Sequence, residues 1–310
     1  MTKNTVIRRC MQFIPVFFGI TLLSFGLLYI APSDPVSVRL SAGGIAEDPQ
    51  AILRMQQEMG LDQPFLVQYG TWLERFVRGD MGKSYITDIP VATSFWQALP
   101  YTLRMAGAAI MLTLVISLPL GIAIAARRNS RMDYCLRFLT FIGNATPGFI
   151  VAIVLMFLFS YQLGWIPVLA TAKPIGMILP SLTLAIVMSS RYIRQIRAAA
   201  LDELQKDYIV GLRARGIPER QILFRNVLKN IMVIVITLTG ISVGALLGGT
   251  VIIETIFNWP GIGNLIMTAI TNRDYPVVQA VVVWMALAFF FVNLLADMLY
   301  RYVNPRIKDV

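Results

Sequence analysis

From Cys10 to Ser33 the chain carries no charged side chain, and that run decides more than any other feature. A hydrocarbon layer about 30 Å thick needs about 20 consecutive apolar residues to be crossed as a helix. Six stretches qualify, with the first span at about Met11–Ala31. The others are Met105–Ala126, Phe138 up to Lys173 with an expected break near Gly164 and Pro167, Pro174–Ser190, Asn230–Ile253 and Tyr275–Ala296. The fourth is the shortest. With 56% hydrophobic and 14% charged residues and a mean hydropathy of +0.67, the chain holds more apolar side chain than one water-soluble core buries. An all-α integral membrane protein with six transmembrane helices is expected. Arg8 and Arg9 before the first run invite a signal-peptide reading, but no small-residue cleavage site follows, so an uncleaved helix is expected.

The absence of histidine and the presence of only two cysteines exclude disulfide frameworks, Cys/His zinc sites and imidazole catalysis. The formal net charge of +10 is explained by topology. Nineteen of the 27 Lys and Arg residues fall in the N-terminus, the loop after span two, the loop after span four and the C-terminal tail. Positive charge collects on the cytoplasmic side, so both termini are expected in the cytoplasm and nucleic acid is not an expected partner.

Between the first two spans, Pro32–Pro100 is long enough for structure of its own. Asp48 is placed to cap a helix with Pro49 in its first turn and Gly60 past its end. A second helix begins near Pro64, carries Phe65, Tyr69, Trp72 and Phe76 on one face, and stops at Gly79. This amphipathic segment reads as a packed extracytoplasmic lid, or as a surface for membrane or partner. Gly82-Lys83-Ser84 is not a phosphate loop, because Val77 stands where that motif needs glycine.

After span four, a helix is expected to run on from Arg191 through Arg197, with Asp202 and Lys206 forming an i,i+4 pair, and to stop at Gly216. Ile217-Pro218-Glu219 then starts a second helix with proline in its first turn and an acid near its positive end. The tip, Leu212 to Ile217, mixes basic and apolar side chains, which suits a groove on another protein. Arginines that only set topology and touch lipid headgroups are the alternative.

These residues resemble a known family. The glycine-centred elbow is similar to the EAA loop of ABC importer permeases, the element that docks on the ATP-hydrolysing subunit. Glu254-Thr-Ile-Phe-Asn258-Trp259-Pro260-Gly261-Ile262-Gly263, followed by Asn272-Arg273-Asp274-Tyr275-Pro276, resembles the segment before the last span in the dipeptide/oligopeptide/nickel branch. So do Gly60-Leu61-Asp62-Gln63-Pro64, Gln68-Tyr69, Gly79 to Tyr85, and Asn304-Pro305-Arg306. Val210, Gly211 and Leu212 stand where the wider family has its glutamate and two alanines. The resemblance therefore implies an ATPase contact at Arg213, Ala214, Arg215, Gly216, Ile217, Pro218 and Glu219, and a signature at Glu254, Asn258, Trp259, Pro260, Gly261, Gly263 and Asp274. Leu204–Tyr208 and Thr250–Glu254 look more like nickel or metallophore permeases than peptide ones. The implied function is translocation of a nickel or metal chelate, or of short peptides, across a bacterial cytoplasmic (inner) membrane.

The resemblance also implies partners: a second homologous permease, two ABC ATPase subunits that hold ATP and Mg, and an extracytoplasmic solute-binding protein. No enzymatic activity, resident cofactor or metal is expected in this chain. The expected division is 1–100 for the first helix and outer segment, 101–300 for a five-helix permease core with coupling loop 191–229, and 301–310 for a cytoplasmic tail. A secondary transporter or channel is the alternative. It lacks the carboxylate relay such carriers use, since Glu254 and Asp297 lie toward opposite ends of the last two spans. Pro119, Pro147 and Pro180 are expected kinks, and Gly240, Gly244, Gly248 and Gly249 are expected to allow close helix packing. Without histidine, and with Cys10 and Cys135 toward the cytoplasmic side, a metal would pass chelated.

Overall fold

The computed structural model describes residues 3–30, 36–37, 40, 49–58, 60–168 and 173–303, and these are almost entirely helical. Asp48, Arg306, Lys308 and the Asn304-Pro305-Arg306 motif lie outside the described residues. The chain divides into two compact units, one of residues 1–102 and 260–291, the other of residues 103–259 and 292–310.

The first unit holds α1 (Lys3–Ile30), α2 (Pro49–Glu58) and α3 (Phe65–Val77). Both short helices stop as expected, at Gly60 (φ 68°) and Gly79 (φ 87°). In each, the amide after the glycine reaches the carbonyl five residues back, 2.9 Å for Leu61 to Gln56 and for Asp80 to Arg75. That is the paired-bond ending a left-handed residue makes available. The aromatic face of α3 lies on α1: Phe25 packs edge-on to Phe65 and Tyr69, and Tyr69 shares a 2.9 Å hydrogen bond with Thr21. The amphipathic segment covers its own first span. The unit also contains α11 (Ile262–Thr271), an apolar helix of 10 residues, too short to cross a hydrocarbon layer.

The second unit is built around α7 (Ile178–Leu204), which packs on α5 (Arg131–Ala145), α6 (Gly148–Leu155) and α10 (Leu228–Phe257). The helix α4 (Val91–Ala126) contributes Ile122 and Ala125 to its core, and α12 (Tyr275–Val303) is the last helix of the chain. Among the described residues, five helices are long and apolar enough to cross a membrane, and a sixth crossing arises if the bent pair 131–145 and 148–162 is one span.

That pair is bent by 105°, at Thr146–Pro147. This is a correction to the expected third span. The end near Gly164 (φ 62°) is present, but a further break lies upstream, because Pro147 cannot donate and stands as the extended cap (ψ 140°) of α6. The other two prolines break nothing. Pro119 lies inside the unbroken α4, and Pro180 sits in the first turn of α7, where its missing N–H has no intrahelical partner to lose. Close packing occurs at two glycines outside the expected set, and of that set Gly248 is open. A Cβ on Gly143 would collide with Ser190, and one on Gly121 would come within 2.7 Å of Ile196, whereas one on Gly248 would meet nothing within 4 Å.

Candidate functional site

The turn between α7 and α10 is assembled from α8 (Asp207–Ala214) and α9 (Glu219–Gln221). α8 does not simply continue α7. The backbone breaks at Gln205, and Lys206 takes an extended conformation (ψ 145°). The expected Asp202–Lys206 pair therefore does not form, because helical i,i+4 spacing is lost across the break. Lys206 binds Glu203 at 2.6 Å instead.

Glu203 is 6% exposed and ties the base of the turn. Its Oε1 accepts from the Tyr208 hydroxyl at 2.5 Å and from Asn230 Nδ2 at 2.7 Å, while Oε2 takes the lysine. Asn230 also donates to the Tyr208 oxygen at 2.9 Å. Burial, reinforced by the neighbouring carboxylate, pushes the Tyr208 phenol up to about 12. The hydroxyl therefore stays protonated and donates. Below this knot, Ile209 and Ile222 are fully buried with Tyr192, Ile196 and Val227.

Gly216 ends α8 at φ 75°, with Gly216 N bonded to Arg213 O at 2.9 Å and Ile217 N to Leu212 O at 3.2 Å. The expected glycine stop is borne out in the backbone. Leu212 and Ile217 pack against the unit's own core, because Leu212 follows Ile209 by three residues on one helix face and the residue after the left-handed glycine folds back onto it. Pro218 is also placed differently. It is the cap rather than the first helical residue, with its carbonyl accepting from Gln221 N at 2.8 Å.

Exposed at the tip are Arg213, Ala214, Arg215, Gly216, Pro218 and Glu219. Arg213 and Glu219 bind each other in two parallel contacts, Nε to Oε2 at 3.0 Å and a terminal nitrogen to Oε1 at 2.7 Å. The carboxylate bond lifts the Arg213 guanidinium above its ordinary range. Val210, where the wider family has its glutamate, is 58% exposed.

A second charged tie holds this unit together. Asp133, fully buried, takes Arg197 Nε and a terminal nitrogen at 2.7 Å each. It also accepts from Asn129 N at 3.1 Å, and Ser130 caps α5 through Asp133 N. Sequence reasoning passed over both Asp133 and Glu203. For Asp133 the one available signal was an acid standing alone among arginines; Glu203, beside Asp202, carried none.

The signature residues fall in both units. In the second, Glu254 is fully buried in the last turn of α10, Asn258 ends that helix at φ 51°, and Trp259 is 2% exposed. Asn258 serves as the left-handed stop that glycine supplies elsewhere, with Trp259 N bonded to Glu254 O at 2.8 Å. In the first unit, Pro260 and Gly261 lead into α11, whose Gly263 is buried, and Thr102 Oγ1 accepts from Ile262 N at 2.8 Å. Asp274 is 5% exposed. It takes the Ser84 hydroxyl on Oδ2 and the Tyr85 amide, at 3.0 Å, on Oδ1. Two motifs read separately in the sequence, Gly79–Tyr85 and Asn272–Pro276, are thus two halves of one contact. Among the described residues no group of three His, Cys, Asp or Glu side chains is arranged to hold a metal.

Comparison with known proteins decides what these elements belong to. Residues 117–309 match the family described as binding-protein-dependent transport system inner membrane component, and residues 1–106 match its N-terminal membrane component. The chain belongs to the permeases of binding-protein-dependent ABC importers. This permease is 37% identical over 314 residues to the oligopeptide transport system permease protein AppB of Bacillus subtilis, covering 98% of each chain. It is 35% identical to the glutathione transport system permease protein GsiC of Salmonella paratyphi A (98% of this chain, 99% of that one). Against the dipeptide transport system permease protein DppB of Alkalihalophilus pseudofirmus it is 32% identical (97% and 98%). The fold of the permease resembles that in an inward-facing structure of the MetNI methionine ABC transporter, at a TM-score of 0.59 and 17% identity over 68% of this chain and 96% of that one. The permease is a multi-pass inner-membrane subunit and not an enzyme; ATP hydrolysis belongs to a partner subunit.

Proposed function

We propose that this permease carries short peptides or peptide-like solutes. Its match along nearly its whole length to permeases named for dipeptides, oligopeptides and glutathione is the observation that carries the reading. Those names favour peptide cargo over the nickel or metallophore expected from Leu204–Tyr208 and Thr250–Glu254.

In this reading the chain crosses the membrane six times with both termini in the cytoplasm, the bent pair 131–145 and 148–162 making the third crossing. The 207–221 turn contacts an ATPase subunit through Arg213, Ala214, Arg215, Gly216, Ile217, Pro218 and Glu219. A second permease and two ATPases holding ATP and Mg complete the importer. An extracytoplasmic binding protein delivers cargo to the outer segment, and closure of the ATPases turns the elbows and opens the path outward.

Exposure of the tip and its attachment to α7 and α10 through Glu203 and Asn230 support this reading, since a displacement of the tip reaches two membrane helices. The test is uptake of labelled dipeptide and tripeptide, against labelled nickel chelate, by the reconstituted importer with its binding protein. Peptide-stimulated ATP hydrolysis with peptide uptake is expected. Uptake of the chelate alone overturns the cargo. A reporter fused after Val310 is expected on the cytoplasmic side.

A further inference from the structure

The turn between α4 and α5 carries positive charge that the rest of its unit leaves unspent. α4 ends at Ala126 after a charge-free run from Met105, and the bent pair that follows starts at Arg131. Residues 127–130 therefore join two apolar helices at a membrane boundary that the charge pattern itself marks. Arg127, Arg128 and Arg131 are exposed. No acid among the described residues pairs with any of them, and Asp133, the nearest in sequence, is taken by Arg197.

The same aspartate fixes the shape of the turn. Asn129 stands at φ 63°, its amide donates to Asp133 Oδ2 at 3.1 Å, and Ser130 Oγ accepts from Asp133 N at 3.2 Å. The arginines are thus presented on a turn already tied to α7, which spares part of the ordering cost of binding. Planar guanidinium groups meet a phosphate with paired, charge-assisted hydrogen bonds.

The helix that follows supplies an apolar strip in line with those arginines. At about 100° per residue, Arg131, Tyr134, Phe138, Phe141 and Ala145 fall within about 80° of one another, on the side of α5 away from the buried Asp133 and Thr140. Tyr134, Phe138 and Phe141 are each more than half exposed. The Arg137 guanidinium stands 5.8 Å from the centre of the Tyr134 ring, a cation against an aromatic face at the charged end of the strip. From Arg131 to Ala145 the strip is about 21 Å long, enough to follow a lipid through one leaflet of about 15 Å. A phosphate-binding head above an apolar strip is complementary to an anionic amphiphile.

A helix of a second permease would also cover such a strip, and charge decides against it. Membrane subunits collect positive charge on the same side of the membrane. The edge that a second permease brings to Arg127, Arg128 and Arg131 is therefore itself basic, and like charges set against each other oppose association. A phospholipid phosphate brings the opposite sign.

We propose that the turn at 127–131 and the outer strip of α5 hold one anionic phospholipid, its phosphate on Arg127, Arg128 and Arg131 and an acyl chain along Tyr134, Phe138 and Phe141. The site is independent of the cargo and of the ATPase contact.

The test places the full importer, with Phe138 replaced by p-benzoylphenylalanine, in nanodiscs of equal parts phosphatidylglycerol and phosphatidylcholine with the same acyl chains. Photocrosslinks to phosphatidylglycerol are expected to exceed those to phosphatidylcholine by about tenfold or more. Adding Arg128→Gln and Arg131→Gln, which leaves Arg127 and Arg137 to orient the helices, is expected to bring the ratio to about threefold or less. Arg128→Lys with Arg131→Lys keeps the orienting charge without the planar fork, and its ratio is expected between the two. Equal yields from both lipids in the parent, as a helix bathed in bulk lipid gives, overturn the proposal. So does a ratio left unchanged by the glutamine pair, or a crosslink to a protein subunit in place of lipid.

Discussion

Asp274 is expected to govern the order of the loop at Ser84–Pro90. Its carboxylate is 5% exposed and takes one hydroxyl and one amide from that loop. Ser84, itself 4% exposed, in turn accepts from Ile86 N at 3.2 Å and Thr87 N at 3.0 Å, so four groups hang on one side chain. A hydrogen bond to a charged acceptor contributes about 1.5–3 kcal/mol. Asp274→Ala removes two, and water entering the gap recovers part, which leaves about 3 kcal/mol. At about 1.4 kcal/mol per factor of ten, local opening of the loop becomes roughly a hundredfold more frequent. Asp274→Asn keeps the acceptor facing the Tyr85 amide but loses the Ser84 bond, because both lone pairs of Ser84 Oγ already accept from Ile86 N and Thr87 N. Its effect is expected near tenfold. Hydrogen exchange of residues 85–89 in the reconstituted importer reads both numbers directly, with the amides of α8 as an internal control. Exchange within threefold of the parent in Asp274→Ala would show that the loop holds itself, through the Lys83–Pro90 bridge and the turn at Asp88, and that Asp274 does not position it.

Two further outcomes follow from the second unit. Gly216→Ala meets no atom within 4 Å but must hold φ 75°, a cost of about 1–2 kcal/mol for a residue with a Cβ. Exchange at the Gly216 and Ile217 positions is expected to rise about 5- to 30-fold, with Gly216→Asn in between, and equal rates in all three proteins would refute the strain argument. Asp133→Ala strands Arg197, whose side chain is 17% exposed. Removing one member of a buried pair costs about 3 kcal/mol or more, whereas replacing both by apolar residues costs less. Thermal unfolding in detergent is therefore expected to fall further for Asp133→Ala than for Asp133→Leu with Arg197→Met, and the reverse order would show that the pair is not the tie between α5 and α7.

Much of this architecture is legible along the chain because its causes are local. The apolar runs need no partner to be recognised, since crossing a hydrocarbon layer is a matter of length and composition. Gly60, Gly79 and Gly216 end helices where the sequence places their ends, because a left-handed stop is a property of one residue and its immediate neighbours. The aromatic face of α3 was readable as a face, although the surface it covers, Phe25 and Thr21 of α1, was not.

What only the tertiary structure decided is which charges are already spent. Arg213 and Arg215 look alike in the sequence, yet one is held by Glu219 and the other is not. Glu203 and Asp133 resemble any helix acid until α10 and α7 bring Asn230 and Arg197 to them. Asp274 and Ser84, 190 residues apart, meet only through the fold. The bend at Pro147 belongs with these, since proline permits a bend without setting its angle. Helix length and helix ends follow from short-range sterics and solvation, which sequence writes down directly. The pairing of charges depends on which helices come to lie side by side, and that is settled by the packing of the whole unit.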